Sequence, residues 1–193
     1  MPNWCNNRIV ITGPKNKLEV LEKAVNEGEL LEAMHPMPKD LRDTTADGTE
    51  RPALVKKHGH SDWYSWATTN WGTKWDICEP YGIKWRTELL GQPDGWAELS
   101  FGFDSAWSPP IGAVSEYLDA NEDIKIRLSY YEPGCDFMGV WEDFTDDCYQ
   151  PSEDAPSSDS DFWNTEHGKE LDEDFNIVET MQNYEEEQKE AHG

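Results

Sequence analysis

The sequence lacks several features that define large classes of protein. It has no run of 18 apolar residues, which excludes a membrane-spanning helix at the level of sequence. Its N-terminus shows no charged region followed by an apolar region, so no secretory signal is visible. It has no C-x-x-C pair, because its four cysteines are scattered at Cys5, Cys78, Cys135 and Cys148. We therefore expect free thiols in a reducing compartment, and a cytoplasmic protein.

Motifs for catalysis and for metal binding are also missing. The chain contains no G-x-S-x-G, no P-loop and no H-E-x-x-H. Its five histidines include the pair His58 and His60, but two side chains without a third ligand at a suitable spacing do not define a metal site. We expect no catalytic residues, no metal and no cofactor, and hence a protein that is not an enzyme.

Basic residues are scarce and unevenly placed. The chain has 16 Lys and Arg against 40 Asp and Glu, a net charge of −24. Residues 1–140 carry 22 acidic and 14 basic side chains, whereas residues 141–193 carry 18 acidic and 2 basic ones. Nucleic-acid affinity depends on cations that release counterions from phosphates, so direct nucleic-acid binding is disfavoured. The expected partner is a protein with a basic surface.

The hydrophobic pattern predicts an α+β domain over residues 1–145. A strand at "NRIVITGP" precedes an amphipathic helix with Asn16 as its N-cap. "IKWRTELL" and "WAELSFGF" form a hairpin around "GQPDG", and a second helix begins at Ser108 as its N-cap. "IKIRLSYYE" and "DFMGVWEDF" are further strands. This order is typical of a ferredoxin-like split βαβ sandwich: an antiparallel sheet with two helices on one face, here with a Trp-rich insertion at about 35–80.

The insertion contains "NWGTKWD", residues 70–76, in a chain with ten tryptophans. We expect it to fold over the open face of the sheet, where tryptophans complete the core. Asp76 would then accept from an indole N–H or pair with Lys74. The alternative is an aromatic platform that stacks nucleic-acid bases, as RNA-binding sheets use. The residues of this alternative site are Trp71, Lys74, Trp75 and Trp107. In the core-packing interpretation, the packing layer consists of Trp4, Trp71, Trp75 and Trp107.

Residues 146–193 read as an acidic linker and a C-terminal amphipathic helix. The stretch from about 145 is rich in Asp, Ser and Pro, which predicts a disordered or loosely held linker. Five apolar residues then follow helical spacing and form one narrow face: Leu171, Phe175, Val178, Met181 and Tyr184. Such a helix needs a surface on which to dock, and its own domain, a second copy and a partner all stay open.

Four motifs occur in order over roughly residues 1–140: "MPNWCNNRIVITGP", "NWGTKWD", "FDSAWSPP" and "YYEPGCDFMG". Together, and in this order, they resemble the YubB-like ferredoxin-fold family of uncharacterised plasmid and bacteriophage proteins. The resemblance implies a ferredoxin-like fold and an origin in a mobile element, with the host-cell cytoplasm as location. It implies no activity and no catalytic residues. The acidic region after residue 145 lies outside it.

These features together suggest a non-enzymatic inhibitor that imitates nucleic acid. Carboxylates on a helix would occupy the basic groove of a host defence protein or of another nucleic-acid-binding protein. Aromatic and aliphatic side chains would add the apolar contacts that charged groups cannot supply. The residues expected to bind the partner are Asp172, Glu173, Asp174, Phe175, Val178, Glu185, Glu186 and Glu187. Two alternatives remain: a single-stranded nucleic-acid or RNA binder with an autoinhibitory tail, and a virion or assembly protein whose tail forms a homo-oligomer.

Overall fold

The computed structural model describes residues 3–191. Its first strand, β1 (Trp4–Pro14), leads directly into helix α1 (Lys15–Glu27). The strand and the helix were both expected, but the helix begins just after Pro14 and no side chain caps it, so Asn16 is not its N-cap. Gly28 ends the helix in the left-handed conformation, and its N–H donates to the Val25 carbonyl.

The fold is mixed α+β around a six-stranded antiparallel sheet. The remaining strands are β2 (Cys78–Arg86), β3 (Trp96–Ala106), β4 (Lys125–Glu132), β5 (Phe137–Glu142) and β6 (Thr145–Tyr149). Their spatial order is β2-β3-β1-β4-β5-β6. The predicted pairing of two strands around "GQPDG" is confirmed as β2–β3, and its register shifts twice between Cys78 and Lys84. The bounds of the first strand differ from the prediction: β2 ends at Arg86, so the last four residues of "IKWRTELL" lie outside the strand.

The second expected helix is α6 (Ile111–Asp119). It begins three residues after Ser108, with Pro110 in the N-cap position, so Ser108 is not the cap. The hydroxyl of Ser108 instead donates to the Gly72 carbonyl. Helices α1 and α6 pack on one side of the sheet, which we call the near face; the opposite side is the far face. On β1 the near-face side chains, such as Ile9 and Ile11, are fully buried.

The insertion packs on the near-face side, so the prediction that it covers the open face is wrong. It contains short helices: α2 (Leu30–Met34) borders it, and α3 (Lys39–Arg42), α4 (Pro52–His58) and α5 (Trp63–Asn70) lie within it. Leu41, Trp66 and Trp71 join the same buried cluster as α1 and α6. The far face of β1 carries polar side chains such as Asn6 and Arg8, which offer these tryptophans no apolar surface.

The acidic C-terminal region covers part of the far face. After β6 come α7 (Pro151–Asp154), a 3₁₀ helix (Asp161–Asn164), α8 (Glu166–Phe175) and α9 (Ile177–Ala191). The expectation of a disordered linker is therefore wrong, and the single predicted helix is broken at Asn176, which is left-handed. A second buried cluster explains the order, because it fixes this region on β5: Met138, Val140, Ala155, Trp163, Leu171 and Ile177. Across residues 3–191, no helix has both the length and the apolar character to cross a membrane.

Candidate functional site

Two of the sequence motifs, "NWGTKWD" and "FDSAWSPP", lie against each other at one end of the sheet. The Thr73 hydroxyl donates to the Ala106 carbonyl at 2.9 Å, in a fully buried position. The Trp71 carbonyl accepts from the N–H of Ala113 at the start of α6. The positive φ of Gly72 permits the tight turn, and a Cβ there would lie 3.1 Å from a backbone oxygen of the neighbouring loop. These contacts join the two motifs and so fix the positions of Lys74 and Trp75 in the first and of Trp107 in the second.

Lys74 lies among three aromatic rings. Its Nζ is 4.5 Å from the ring centroid of Trp75, 5.2 Å from that of Trp107 and 5.9 Å from that of Tyr64. Each distance is within the range of a cation–π interaction. Within residues 3–191, no ion pair joins Lys74 to a carboxylate. The ammonium group is thus stabilised by rings instead of by a counter-charge.

The rings around Lys74 belong to a partly exposed aromatic patch, which we define as Trp4, Tyr64, Trp75 and Trp107. Trp4 and Trp107 are 40% and 39% exposed, and the Trp4 and Trp75 centroids are 6.3 Å apart. Trp107 has a φ of 70°, which is rare and strained for a bulky residue. Its N–H donates to the Asn3 carbonyl at 2.9 Å, which helps to hold that conformation.

The structure brings together three of the four residues of the predicted aromatic site: Lys74, Trp75 and Trp107. The fourth, Trp71, is 6% exposed, packs edge-on against Trp66 and donates its indole N–H to the His35 carbonyl at 2.7 Å. It therefore belongs to the core. Tyr64 was not predicted. Asp62, whose carboxylate accepts from Ser65 N, was the available signal, because it caps α5 and places Tyr64 in its first turn.

A cleft of about 310 Å³ lies beside the aromatic patch and is lined by Trp63, Lys74, Trp75 and Asp76 among others. Asp76 neither accepts from an indole N–H nor pairs with Lys74, contrary to the prediction. Its carboxylate accepts from the backbone N–H groups of Leu31, Glu32 and Ile77 at 2.8–2.9 Å. Burial raises the pKa of Asp76, although these three donors oppose the shift. The carboxylate joins "NWGTKWD" to the start of α2.

Five of the eight predicted partner-binding residues make contacts within the protein. Asp172 accepts from the N–H of Val178 at 2.7 Å and so caps α9. Asp174 faces Arg8 at 3.9 Å, and Phe175 lies on Tyr131 with 6.0 Å between the ring centroids. Burial raises the pKa of Asp174, and Ser129 and Arg8 act against it.

The remaining contacts are made along α9. Val178 packs against the second buried cluster. Glu185 accepts from both the N–H and the hydroxyl of Ser158, at 2.9 and 3.0 Å. Glu173, Glu186 and Glu187 are exposed. Of the predicted set, these three carboxylates are the ones available to a partner.

The C-terminal region nevertheless presents a strongly negative surface. Of the 18 Asp and Glu residues in 141–193, 14 are exposed, alongside the exposed Lys169 and Lys189. Phe144 and Tyr184 are 57% and 62% exposed within it. A mostly apolar groove of about 360 Å³ lies at Tyr184, lined by Pro156, Thr180, Met181, Tyr184 and Glu185. We call this surface, with its groove, the acidic surface.

The histidine pair has separate partners. His58 Nε2 lies 2.8 Å from Asp40 Oδ1, while His60 Nε2 lies 3.3 Å from the amide of Asn70. Hydrogen bonds from Lys57 and His58 lower the pKa of Asp40 to about 2. No group of three or more His, Cys, Asp or Glu side chains suited to a metal ion occurs among residues 3–191.

Comparison with known proteins gives little further information. No family model matches the chain, and no curated protein matches it. Among solved structures, it is similar to the crystal structure of the protein api92 from Yersinia pseudotuberculosis, described under the family model DUF1281. The two are 14% identical with a TM-score of 0.42, over 78% of this chain and 95% of that one. At this identity and TM-score the likeness bears on neither fold family nor function.

Proposed function

We propose that β1 to β4, with α1 and α6, form a ferredoxin-like unit of the kind found in the YubB-like family of plasmid and bacteriophage proteins. The order β2-β3-β1-β4, with helices after β1 and after β3, supports this classification. The packing of "NWGTKWD" against "FDSAWSPP" also supports it, because two of the four shared motifs then serve one structural purpose.

We further propose that the protein acts without catalysis, in the host-cell cytoplasm, by binding a basic surface of a host protein. The observation that carries this proposal is the exposure of 14 carboxylates in residues 141–193 against two lysines. Charges of one sign on a rigid scaffold attract a complementary surface and speed its association. The acidic surface would thus occupy a groove that otherwise receives nucleic acid.

Charge density indicates that electrostatics alone is insufficient for tight capture. Helix α9 has 15 residues and carries five carboxylates, over a length of about 22 Å. The same length of duplex DNA carries about 13 phosphates. An effective mimic therefore needs apolar contacts as well, and the exposed ring of Tyr184 beside its groove provides them. We place the binding site around Tyr184, Glu186 and Glu187, with Glu173 at its margin.

A pull-down with matched baits tests this proposal. The test bait carries Glu173→Gln, Glu186→Gln, Glu187→Gln and Glu190→Gln, all at exposed positions. The control bait carries the same charge change at four exposed positions outside the acidic surface: Glu50→Gln, Glu88→Gln, Asp94→Asn and Glu122→Gln. Wild-type protein is a third bait, and bacterial lysate is applied at low and high salt.

A host protein retained by the wild type and the control, but at least tenfold less by the test bait, is the expected result. Retention should fall at about 0.5 M salt, because exposed charges are then screened. Added duplex DNA should elute the same protein if the acidic surface imitates nucleic acid. Equal retention by the test and control baits would disprove the proposal.

A further inference from the structure

The far face of the sheet carries a concentration of cations that is unusual for this chain. Side chains opposite one another on neighbouring strands share a face, so the register places five of the 16 Lys and Arg residues here: Arg8, Lys84, Arg86, Lys125 and Arg127. Four carboxylates lie on the same face of the strands: Glu98, Asp104, Glu142 and Asp147. The strands alone are thus close to neutral here, in a protein whose net charge is −24.

Two tyrosine rings accompany these cations. Tyr81 of β2 is 50% exposed and lies against Gly102 of β3, where an added Cβ would overlap the ring. Gly102 therefore lets the ring lie close to the sheet. Tyr131 of β4 occupies the same face, opposite Asn6 of β1. Aromatic rings on a sheet with cations between them are the arrangement with which sheets stack bases and bind phosphates.

Helix α8 supplies anionic ligands to this face. The Glu170 carboxylate accepts from Nε of Arg127 at 2.7 Å, from Nη2 of the same guanidinium, and from the Ser129 hydroxyl at 3.1 Å. A two-pronged contact of this kind is also how arginine binds phosphate. One turn later, Asp174 faces Arg8 and Phe175 lies on Tyr131. The helix thus places one carboxylate on each of the two arginines and an aromatic ring on the tyrosine.

The helix covers only part of the face. It packs on β4 and β5, whereas Tyr81, Lys84 and Arg86 on β2 remain exposed. A binding surface that began at β2 would continue under α8 to Arg8, Tyr131 and Arg127. The covered and uncovered parts offer the same chemistry, cations beside rings, across four adjacent strands.

We propose that the far face binds single-stranded nucleic acid and that α8 is its intramolecular competitor. Bases stack on Tyr81 and Tyr131, and phosphates contact Arg8, Lys84 and Arg127. While α8 is docked, Glu170 and Asp174 hold the arginines and repel phosphate. This explains how a chain of net charge −24 can contain such a site: α8 covers the part around Tyr131 and Arg127, and the part on β2 stays exposed. The proposal is independent of the acidic surface, whose partner is a protein.

Point variants in the full chain test this proposal. Glu170→Gln with Asp174→Asn removes the two carboxylates that α8 places on the arginines and leaves Glu142 of β5 paired with Arg127. Glu173→Gln with Glu186→Gln makes the same charge change at exposed positions. Phe175→Ala loosens α8 without changing charge. Each protein is titrated against a fluorescein-labelled single-stranded 12-mer, RNA or DNA, at about 50 mM salt, and anisotropy is recorded. Thermal unfolding confirms that each variant is folded.

We expect Glu170→Gln/Asp174→Asn to bind the 12-mer at least tenfold more tightly than Glu173→Gln/Glu186→Gln, and Phe175→Ala to bind more tightly than wild type. Adding Tyr81→Ala should reverse most of the gain, because a stacked base raises affinity about 5- to 150-fold. Equal affinity of the two charge variants, or a gain insensitive to Tyr81→Ala, would overturn the proposal. An oligoglutamate peptide that competes as well as unlabelled 12-mer would overturn the assignment to nucleic acid.

Discussion

Replacing Leu171 by alanine should detach the C-terminal layer while leaving the main core folded. The side chain of Leu171, on α8, has no exposed surface and packs against the far face of β5. A buried Leu→Ala change costs about 2–5 kcal/mol, from lost burial and the remaining cavity. The cluster around it has six buried residues, against 25 in the main core. We therefore expect a loss of about 3 kcal/mol, confined to the opening of residues 145–191.

Native-state hydrogen exchange measures this opening. A loss of about 3 kcal/mol corresponds to roughly 100-fold faster exchange of the α8 amides, since 1.4 kcal/mol is a factor of ten. Amides of β1 such as those of Ile9 and Ile11 should exchange at nearly their wild-type rates. Val20→Ala, at a position that is 65% exposed, is the control and should change neither group. Equal acceleration in α8 and β1 would refute the reasoning, because the two clusters would then open as one unit.

Two further predictions concern Trp107 and the carboxylates of α8. Trp107→Gly should be more stable to denaturant than Trp107→Ala by about 1 kcal/mol, because both remove the ring but only glycine adopts φ 70° without strain; equal midpoints would contradict this. Burial raises the pKa of Glu170, but the hydrogen bonds and charge of Arg127 outweigh it, so the pKa is lowered overall, whereas burial raises that of Asp174. The stabilisation of the folded state by Glu170 should therefore be fully present above pH 4.5, its ordinary pKa, and be lost as the pH falls through its lowered pKa. Asp174 behaves in the opposite way: its protonation should stabilise the folded state as the pH falls through its raised pKa toward 3.8, its ordinary pKa. A carboxyl NMR titration checks both, and ordinary values for both would contradict the structure.

Much of the main sheet could be predicted because its signals are local. Burial alternates along β1, with Ile9 and Ile11 fully buried on one face and Arg8 and Thr12 partly exposed on the other, as a half-buried strand requires. The hairpin around "GQPDG" contains its turn within the motif itself. The prediction was wrong where a residue that could cap a helix makes a different hydrogen bond in the folded protein. Ser108 is an example, because its hydroxyl donates to the Gly72 carbonyl instead of capping α6.

The helical spacing of Leu171, Phe175, Val178 and Met181 predicted an apolar face, and these residues do pack in or against the second buried cluster. The surface that receives them could not be predicted, because its determinants are far apart in sequence. Glu170 and Arg127 are separated by 43 residues, and neither alone indicates a pair. Composition pointed to disorder, since Asp, Ser and Pro dominate residues 145–160. Trp163 opposes that tendency, because its buried ring lies in the second cluster and its indole N–H donates to the Ser157 carbonyl. The same holds for the aromatic patch, where neither Tyr64 nor Lys74 alone indicates the contact between them.

The break at Asn176 divides the C-terminal region into α8, which is constrained by its contacts with the sheet, and α9, much of which is not. Substitutions in α8 have to preserve the contacts with Arg127 and Tyr131, so few should be tolerated there. Beyond Met181, α9 is exposed at nearly every position to residue 191, and substitutions there cost little stability. Residues 182–191 can therefore change between related proteins while the fold stays the same. Related proteins should diverge most in this last stretch and least in the sheet beneath α8.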